Sequence, residues 1–112
     1  MHLLFSYGDL QRDEIQIEAF GRLLVGLPDY LPSCVQVLIA INDPAIRAAT
    51  GKTHHANLHF SRELDSRVSG IAYEVTPGEL LVADQFEAEF SYCRVSRRLA
   101  SGRDAWVYVH AE

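Results

Sequence analysis

Lysine is almost absent from this 112-residue chain. Lys52 is the single one, and arginine supplies the rest of the ten basic residues. Fifteen acidic residues outnumber them and set a formal charge of −5. Binding to a phosphate backbone needs a dense positive field, so no nucleic-acid partner is expected. Arg94, Arg97, Arg98 and Arg103 form the one basic cluster, which reads as a solvated strand face and turn. Only two cysteines occur, Cys34 and Cys93. They are too few and too far apart for a disulfide framework or a zinc pattern, and each reads as a small buried hydrophobe. Apolar runs fall well short of the ~20 residues that cross a bilayer, so no membrane partner is expected. The opening Met1-His2-Leu3-Leu4-Phe5-Ser6 lacks a basic n-region and turns polar too early for a signal peptide, which makes the cytoplasm the default location. GxSxG, P-loop and GxGxxG patterns are all missing, which removes the main support for acyl-hydrolase, NTPase and dinucleotide readings.

What is present is the composition of an ordinary globule, 48% hydrophobic and 22% charged. The length suits a single domain over residues 1–112. Leu3-Leu4-Phe5-Ser6-Tyr7 reads as a short buried strand ended by Gly8. Residues 11–24 carry Ile15, Ala19 and Leu23 at helical spacing, with Gly21 weakening the end. Pro28 and Pro32 suggest a turn-rich segment. Val35 to Ile41 is β-branched and apolar, the signature of a central strand. Residues 42–66 alternate polar and small side chains and read as a long connection with at most one short strand. Val68 to Val75 is a further strand, with Gly70 marking a bulge or a close approach. Thr76-Pro77-Gly78-Glu79 is a capping box with proline at the first helical position, predicting a helix to about Phe86. Tyr92 to Leu99 and Ala105 to His110 read as a hairpin around Ser101-Gly102-Arg103-Asp104. The expected fold is α+β: a small bent, mainly antiparallel sheet forming a partial barrel with two or three short helices.

Three features have residue types suited to chemistry. In Phe5-Ser6-Tyr7-Gly8-Asp9-Leu10 a strand delivers the chain to a glycine and then to a helical pattern. Such a turn can aim consecutive amides at an anion, or it can be a plain strand-ending turn with Gly8 at positive φ. In Asp84-Gln85-Phe86-Glu87-Ala88-Glu89-Phe90, Glu87 ends a helix among Phe86, Phe90 and Tyr92. If those rings pack over it, desolvation makes it a competent general base; otherwise it is an exposed helix-end glutamate. His54, His55 and His59 lie close in sequence without the carboxylate or helical spacing of a metal motif, so no metal site is expected.

Taken in order, these pieces resemble the gamma-glutamylcyclotransferase-like family, which includes the AIG2-like proteins. The family opens with a strand and a Tyr-Gly-Ser/Thr-Leu loop, here Tyr7-Gly8-Asp9-Leu10, followed by Gln11 as in several bacterial members. Its middle strand, Val-x-Gly-x-x-Tyr-Glu-Val, is matched by Val68-Ser69-Gly70-Ile71-Ala72-Tyr73-Glu74-Val75. An Asp-x-x-Glu element is matched by Asp84 and Glu87, and a Tyr-x-Arg strand by Tyr92-Cys93-Arg94. A tyrosine-bearing strand closes the match at Ala105-Trp106-Val107-Tyr108-Val109. The resemblance implies a cavity on one side of a bent sheet, with the loop Tyr7, Gly8, Asp9 and Leu10 holding a substrate α-carboxylate through backbone amides. It implies Glu87 as general acid/base and a small γ-glutamyl compound cyclising to 5-oxoproline; Tyr92 and Tyr108 read as secondary candidates for lining the pocket, or else as core tyrosines. No metal or other cofactor is implied, and oligomeric state is left open. Two positions depart from the pattern: Asp9 stands where Ser or Thr is usual, and Ala88 stands in place of glycine. These departures keep open a second reading, a small-anion binding module that retains the pocket without the activity.

Overall fold

The computed structural model describes residues 1–110. Seven strands and three α-helices follow one another as β1 (His2–Ser6), α1 (Asp13–Phe20), β2 (Val25–Pro32), β3 (Cys34–Ala40), α2 (Pro44–Thr50), β4 (His54–Phe60), β5 (Arg67–Val75), α3 (Pro77–Ala88), β6 (Tyr92–Arg98) and β7 (Asp104–His110) among the described residues. A 3-10 turn, Asp9–Gln11, lies between β1 and α1. Five strands form an open sheet in the order β2-β5-β1-β7-β6, and β3 and β4 form a separate two-stranded ladder. The expected α+β class and unclosed sheet are both present.

β1 is the middle strand. It runs antiparallel to β5 and parallel to β7. Successive side chains of a strand point to opposite faces, and here both faces are covered. Leu4, Tyr73, Val75 and Tyr108 pack on one face with Leu80 and Ala83 of α3. Phe5, Ala72, Ala105 and Val107 pack on the other with Cys34 of β3 and Leu58 of β4. Burial on both sides explains why Leu3-Leu4-Phe5 is an unbroken apolar run rather than an alternating one. Gly70 of β5 is a close-approach point, as its place in the strand suggests. A Cβ there would lie 2.3 Å from the Ser6 carbonyl oxygen and 2.6 Å from Cζ of Phe5.

α3 forms as its capping box dictates. Thr76 Oγ1 accepts from the Glu79 amide at 3.1 Å, and the Thr76 amide donates to Glu79 Oε1 at 2.9 Å. The helix extends to Ala88, past the expected end near Phe86, so Glu87 lies inside its last turn. The helical expectation over 11–24 resolves into the 3-10 turn and a shorter α1 closed by Gly21 at φ 72°. Its buried residue is polar: Gln16 Nε2 donates to the Leu10 carbonyl at 2.9 Å, and Oε1 accepts from the Leu24 amide at 2.8 Å. One side chain thereby ties both flanks of the helix together.

Several local expectations are corrected. Pro28 and Pro32 lie in β2, which pairs with β5 along its whole length. β2 is an edge strand, where a missing N–H is tolerated on the open side. Both prolines share the phase of Tyr30, whose carbonyl faces away from β5 to accept from the Ala100 amide at 2.8 Å. β3 is not central: it pairs only with β4, and Leu38 is 70% exposed. Residues 42–66 hold a helix and a seven-residue strand. Asp43 caps α2 by accepting from the Ala45 amide at 2.9 Å, and Gly51 closes it at φ 69°. The arginine cluster is divided among separate partners, with Arg94 on Asp84, Arg97 over Phe60, Arg98 near Asp104 and Arg103 near Asp29. Cys34 is buried, but Cys93 is exposed on β6.

Candidate active site

A cavity of about 310 Å³ opens where the turn after β1, the last turn of α3 and the start of β4 meet. Tyr7, Gly8, Asp9, Leu10, Glu87, Tyr92 and Tyr108 all line it. Residues from three separate parts of the sequence are thus brought to one hollow. Phe86 and Phe90 line it too, their rings in an edge arrangement with centroids 6.0 Å apart.

Glu87 sits among these rings. Burial pushes its carboxyl up from 4.5 to about 7, the negative charge of Asp9 adds to the rise, and Lys52 opposes it. Among the described residues no side chain or amide donates a hydrogen bond to it. No hydrogen bond among the described residues satisfies the ionised form and Lys52 offsets the desolvation only in part, which leaves the carboxyl titrating near neutral pH.

The three tyrosines are committed as donors to the protein itself. Tyr7 donates to the Tyr108 carbonyl at 2.8 Å, Tyr92 to the Ala56 carbonyl, and Tyr108 to Asp84 Oδ1 at 2.8 Å. Burial raises all three phenols, Tyr92 to about 12, with Glu87 contributing in each case. They remain protonated at neutral pH and act as walls. Asp84 is gripped from the other side by Arg94, whose Nε and Nη2 donate to its two oxygens at 2.8 and 2.9 Å. Burial raises the Asp84 carboxyl, but the Arg94 and Tyr108 hydrogen bonds outweigh it and hold the group below its ordinary value. Asp84 is one turn ahead of Glu87, so this clamp fixes the helix end that carries Glu87.

At the turn, Gly8 has φ −148°, which corrects the positive φ allowed for it, and its amide makes a long 3.4 Å contact to Ser6 Oγ. The amides of Asp9 and Leu10 open the 3-10 turn and have no acceptor inside it. Asp9 is paired with Lys52, so its charge is partly neutralised.

Lys52 was not legible as a site residue, because 43 residues separate it from Asp9 and only the docking of the α2–β4 connection brings it in. His55 also lines the cavity, stacked on His110 with centroids 5.1 Å apart. Burial, the neighbouring His110 and Lys52 lower its imidazole below the ordinary value. His54 and His59 do not line the cavity, and no group of ligands suited to a metal ion exists among the described residues.

The architecture has known counterparts. A gamma-glutamyl cyclotransferase superposes with a TM-score of 0.73 over 99% of this chain and 67% of its own, at 14% identity. The fold is gamma-glutamylcyclotransferase-like. A solution structure from Arabidopsis thaliana matches with the same TM-score over 97% of this chain and 61% of its own, at 18% identity. An uncharacterized protein from Homo sapiens matches at 0.73 over 99% and 67%, at 16% identity. The chain therefore spans about two thirds of the length of these structures. No family model and no curated protein matches the sequence. Nor is any helix among the described residues long and apolar enough to cross a membrane.

Proposed function

We propose that this protein is a cyclotransferase that closes a γ-glutamyl amine or amino acid to 5-oxoproline, with Glu87 as general acid/base. The observation that carries the reading is a carboxyl raised to about 7 in the same cavity as the amide-bearing turn after β1. A general base is most effective when its pKa lies near the working pH. In the first step ionised Glu87 takes a proton from the substrate α-ammonium. The freed amine attacks the γ-carbonyl carbon, forming the ring C–N bond and a tetrahedral oxyanion. The protonated Glu87 then returns its proton to the γ-amide nitrogen, and the oxyanion re-forms the carbonyl as that C–N bond breaks. The ring nitrogen gives up its second proton to the departing amine, so that 5-oxoproline and an amine or amino acid in its ammonium form leave. Holding the α-carboxylate at the Asp9 and Leu10 amides folds the γ-glutamyl arm so that amine and carbonyl meet, an orientation gain. The reaction as written needs an acid/base and oriented amides, with no metal or organic cofactor.

The second reading, an anion-binding module without turnover, draws on Asp9 at the turn. The two separate in one experiment. Purified protein incubated with a panel of γ-glutamyl amines and amino acids is expected to form 5-oxoproline, and Glu87→Gln is expected to abolish it. No product from wild type, or equal product from Glu87→Gln, overturns the cyclotransferase reading. Thermal stabilisation by the same compounds without turnover favours the binding module.

A further inference from the structure

Lys52 is the chain's single lysine and it lines the cavity. It follows Gly51, whose left-handed backbone at φ 69° ends α2, and precedes β4. Its ammonium pairs with the carboxylate of Asp9, so the ion pair joins the α2–β4 connection to the turn after β1. Both side chains stay about half exposed, at 45% and 51%. Ion pairs with that much access to water contribute little to stability, so the Asp9 partner is readily exchanged for a better anion. Arg12, the other arginine or lysine on the cavity wall, has an exposed pair of its own with Glu14 at the start of α1, whereas Lys52 is held by Asp9 at the amide-bearing turn itself. His55 is held toward its neutral form. Lys52 is therefore the cation available to an incoming anion.

The signs around the cavity also fit one class of guest. A head group with a carboxylate and an ammonium on the same carbon matches Lys52 with the first charge and Asp9 and Glu87 with the second. A guest with no carboxylate leaves Lys52 on Asp9 and gains nothing from the pair. An anion without the ammonium leaves Asp9 unpaired beside it, and repulsion at close range is strong where water is partly excluded.

We propose that Lys52 is the specificity-determining residue for the substrate α-carboxylate, releasing Asp9 to bind that carboxylate together with the Asp9 and Leu10 amides. The assignment rests on the cyclotransferase reading. It explains how a turn carrying an aspartate accepts an anionic guest, because the exchange turns Asp9 from a competitor for Lys52 into a partner for the α-ammonium.

The test compares two matched substrates: the γ-glutamyl compound turned over best in the panel, and its analogue with the α-carboxylate converted to a carboxamide. Their kcat/KM values are measured at one pH in wild type, Lys52→Met and Lys52→Arg. The ratio between substrates cancels any general effect of a substitution on Glu87. Wild type is expected to prefer the carboxylate, Lys52→Met to reduce that preference about tenfold, equivalent to ~1.4 kcal/mol, and Lys52→Arg to retain most of it. Because Lys52 is half exposed, neither variant is expected to unfold, and urea melts check this. An unchanged preference in Lys52→Met overturns the role of Lys52 while leaving the cyclotransferase reading intact. Absence of turnover in wild type overturns both.

Discussion

Replacing Glu87 with Gln takes a charge out of a place that resists charge, so the variant is expected to be more stable than wild type, and chiefly on the alkaline side. The carboxyl stands at about 7 in the folded chain against an ordinary 4.5. The folded state therefore holds a proton that the unfolded state has released between those two values. Stability then falls as pH rises from about 4.5 to about 7, and the loss persists above that. At ~1.4 kcal/mol per pKa unit, the full gap corresponds to about 3 kcal/mol, and solvent reaching the cavity reduces it to about 2–3. Gln resembles the protonated form and has no such dependence. Urea melts of both proteins at pH 5 and pH 8.5 give the quantity directly. Other titrating groups cancel in the difference between variant and wild type, provided the m-values agree. The expected result is a small gain of about 0.5–1 kcal/mol for Glu87→Gln at pH 5 and a gain of about 2–3 kcal/mol at pH 8.5. A variant equal to wild type at both pH values, or less stable at pH 8.5, refutes the claim that Glu87 is a desolvated acid.

On the cyclotransferase reading, the same carboxyl is expected to set the acidic limb of turnover. The rate constant kcat/KM is expected to fall below a midpoint of about 7 rather than near 4.5, because only ionised Glu87 accepts the ammonium proton, and a pH-rate profile reads this. Arg94→Met leaves Asp84 facing Tyr108 without its bidentate partner, and is expected to cost about 1–3 kcal/mol in urea melts and to lower kcat through misplacement of the α3 end. Gly70→Ala drives a methyl into the Ser6 carbonyl and Phe5 ring, both within 2.6 Å of it. A loss of about 1–3 kcal/mol by denaturation is expected, whereas a neutral result would mean that β1 and β5 are not packed this closely. Glu79 is held at about 2, chiefly by hydrogen bonds from Arg22 and despite its burial. It lends stability above pH 4.5 that is lost as pH falls toward 2, so Glu79→Gln is expected to flatten acid unfolding over that window.

The parts of the fold that sequence conveyed are those written in local chemistry. The capping box at Thr76 fixed the start of α3, the β-branched stretch to Val75 fixed β5, and the turn at Gly102 fixed the β6–β7 hairpin. Glycine pointed correctly to a tight contact at residue 70. The segment His54-His55-Ala56-Asn57-Leu58-His59-Phe60 was illegible because its strand character comes from pairing with β3 rather than from its own propensities. Pro28 misled because an edge position excuses the missing donor, and edge status is a property of the assembled sheet. The candidate site divides the same way. The Tyr7–Leu10 turn and Glu87 were visible as ordered motifs, and Phe86, Phe90 and Tyr92 as rings near an acid. Lys52 was not visible, since its role depends on where a connecting segment lands.

The middle position of β1 has a consequence for how the chain is made. Its two ladder partners begin at Arg67 and Asp104, so the strand is translated well before both neighbours and waits for them. Long-range pairing of this kind folds slowly. Because Tyr7 donates to the Tyr108 carbonyl and Tyr108 lines the cavity, the hollow acquires its far wall only when β7 docks, and a ribosome-bound chain lacking that strand carries Glu87 and the turn after β1 without the completed hollow between them.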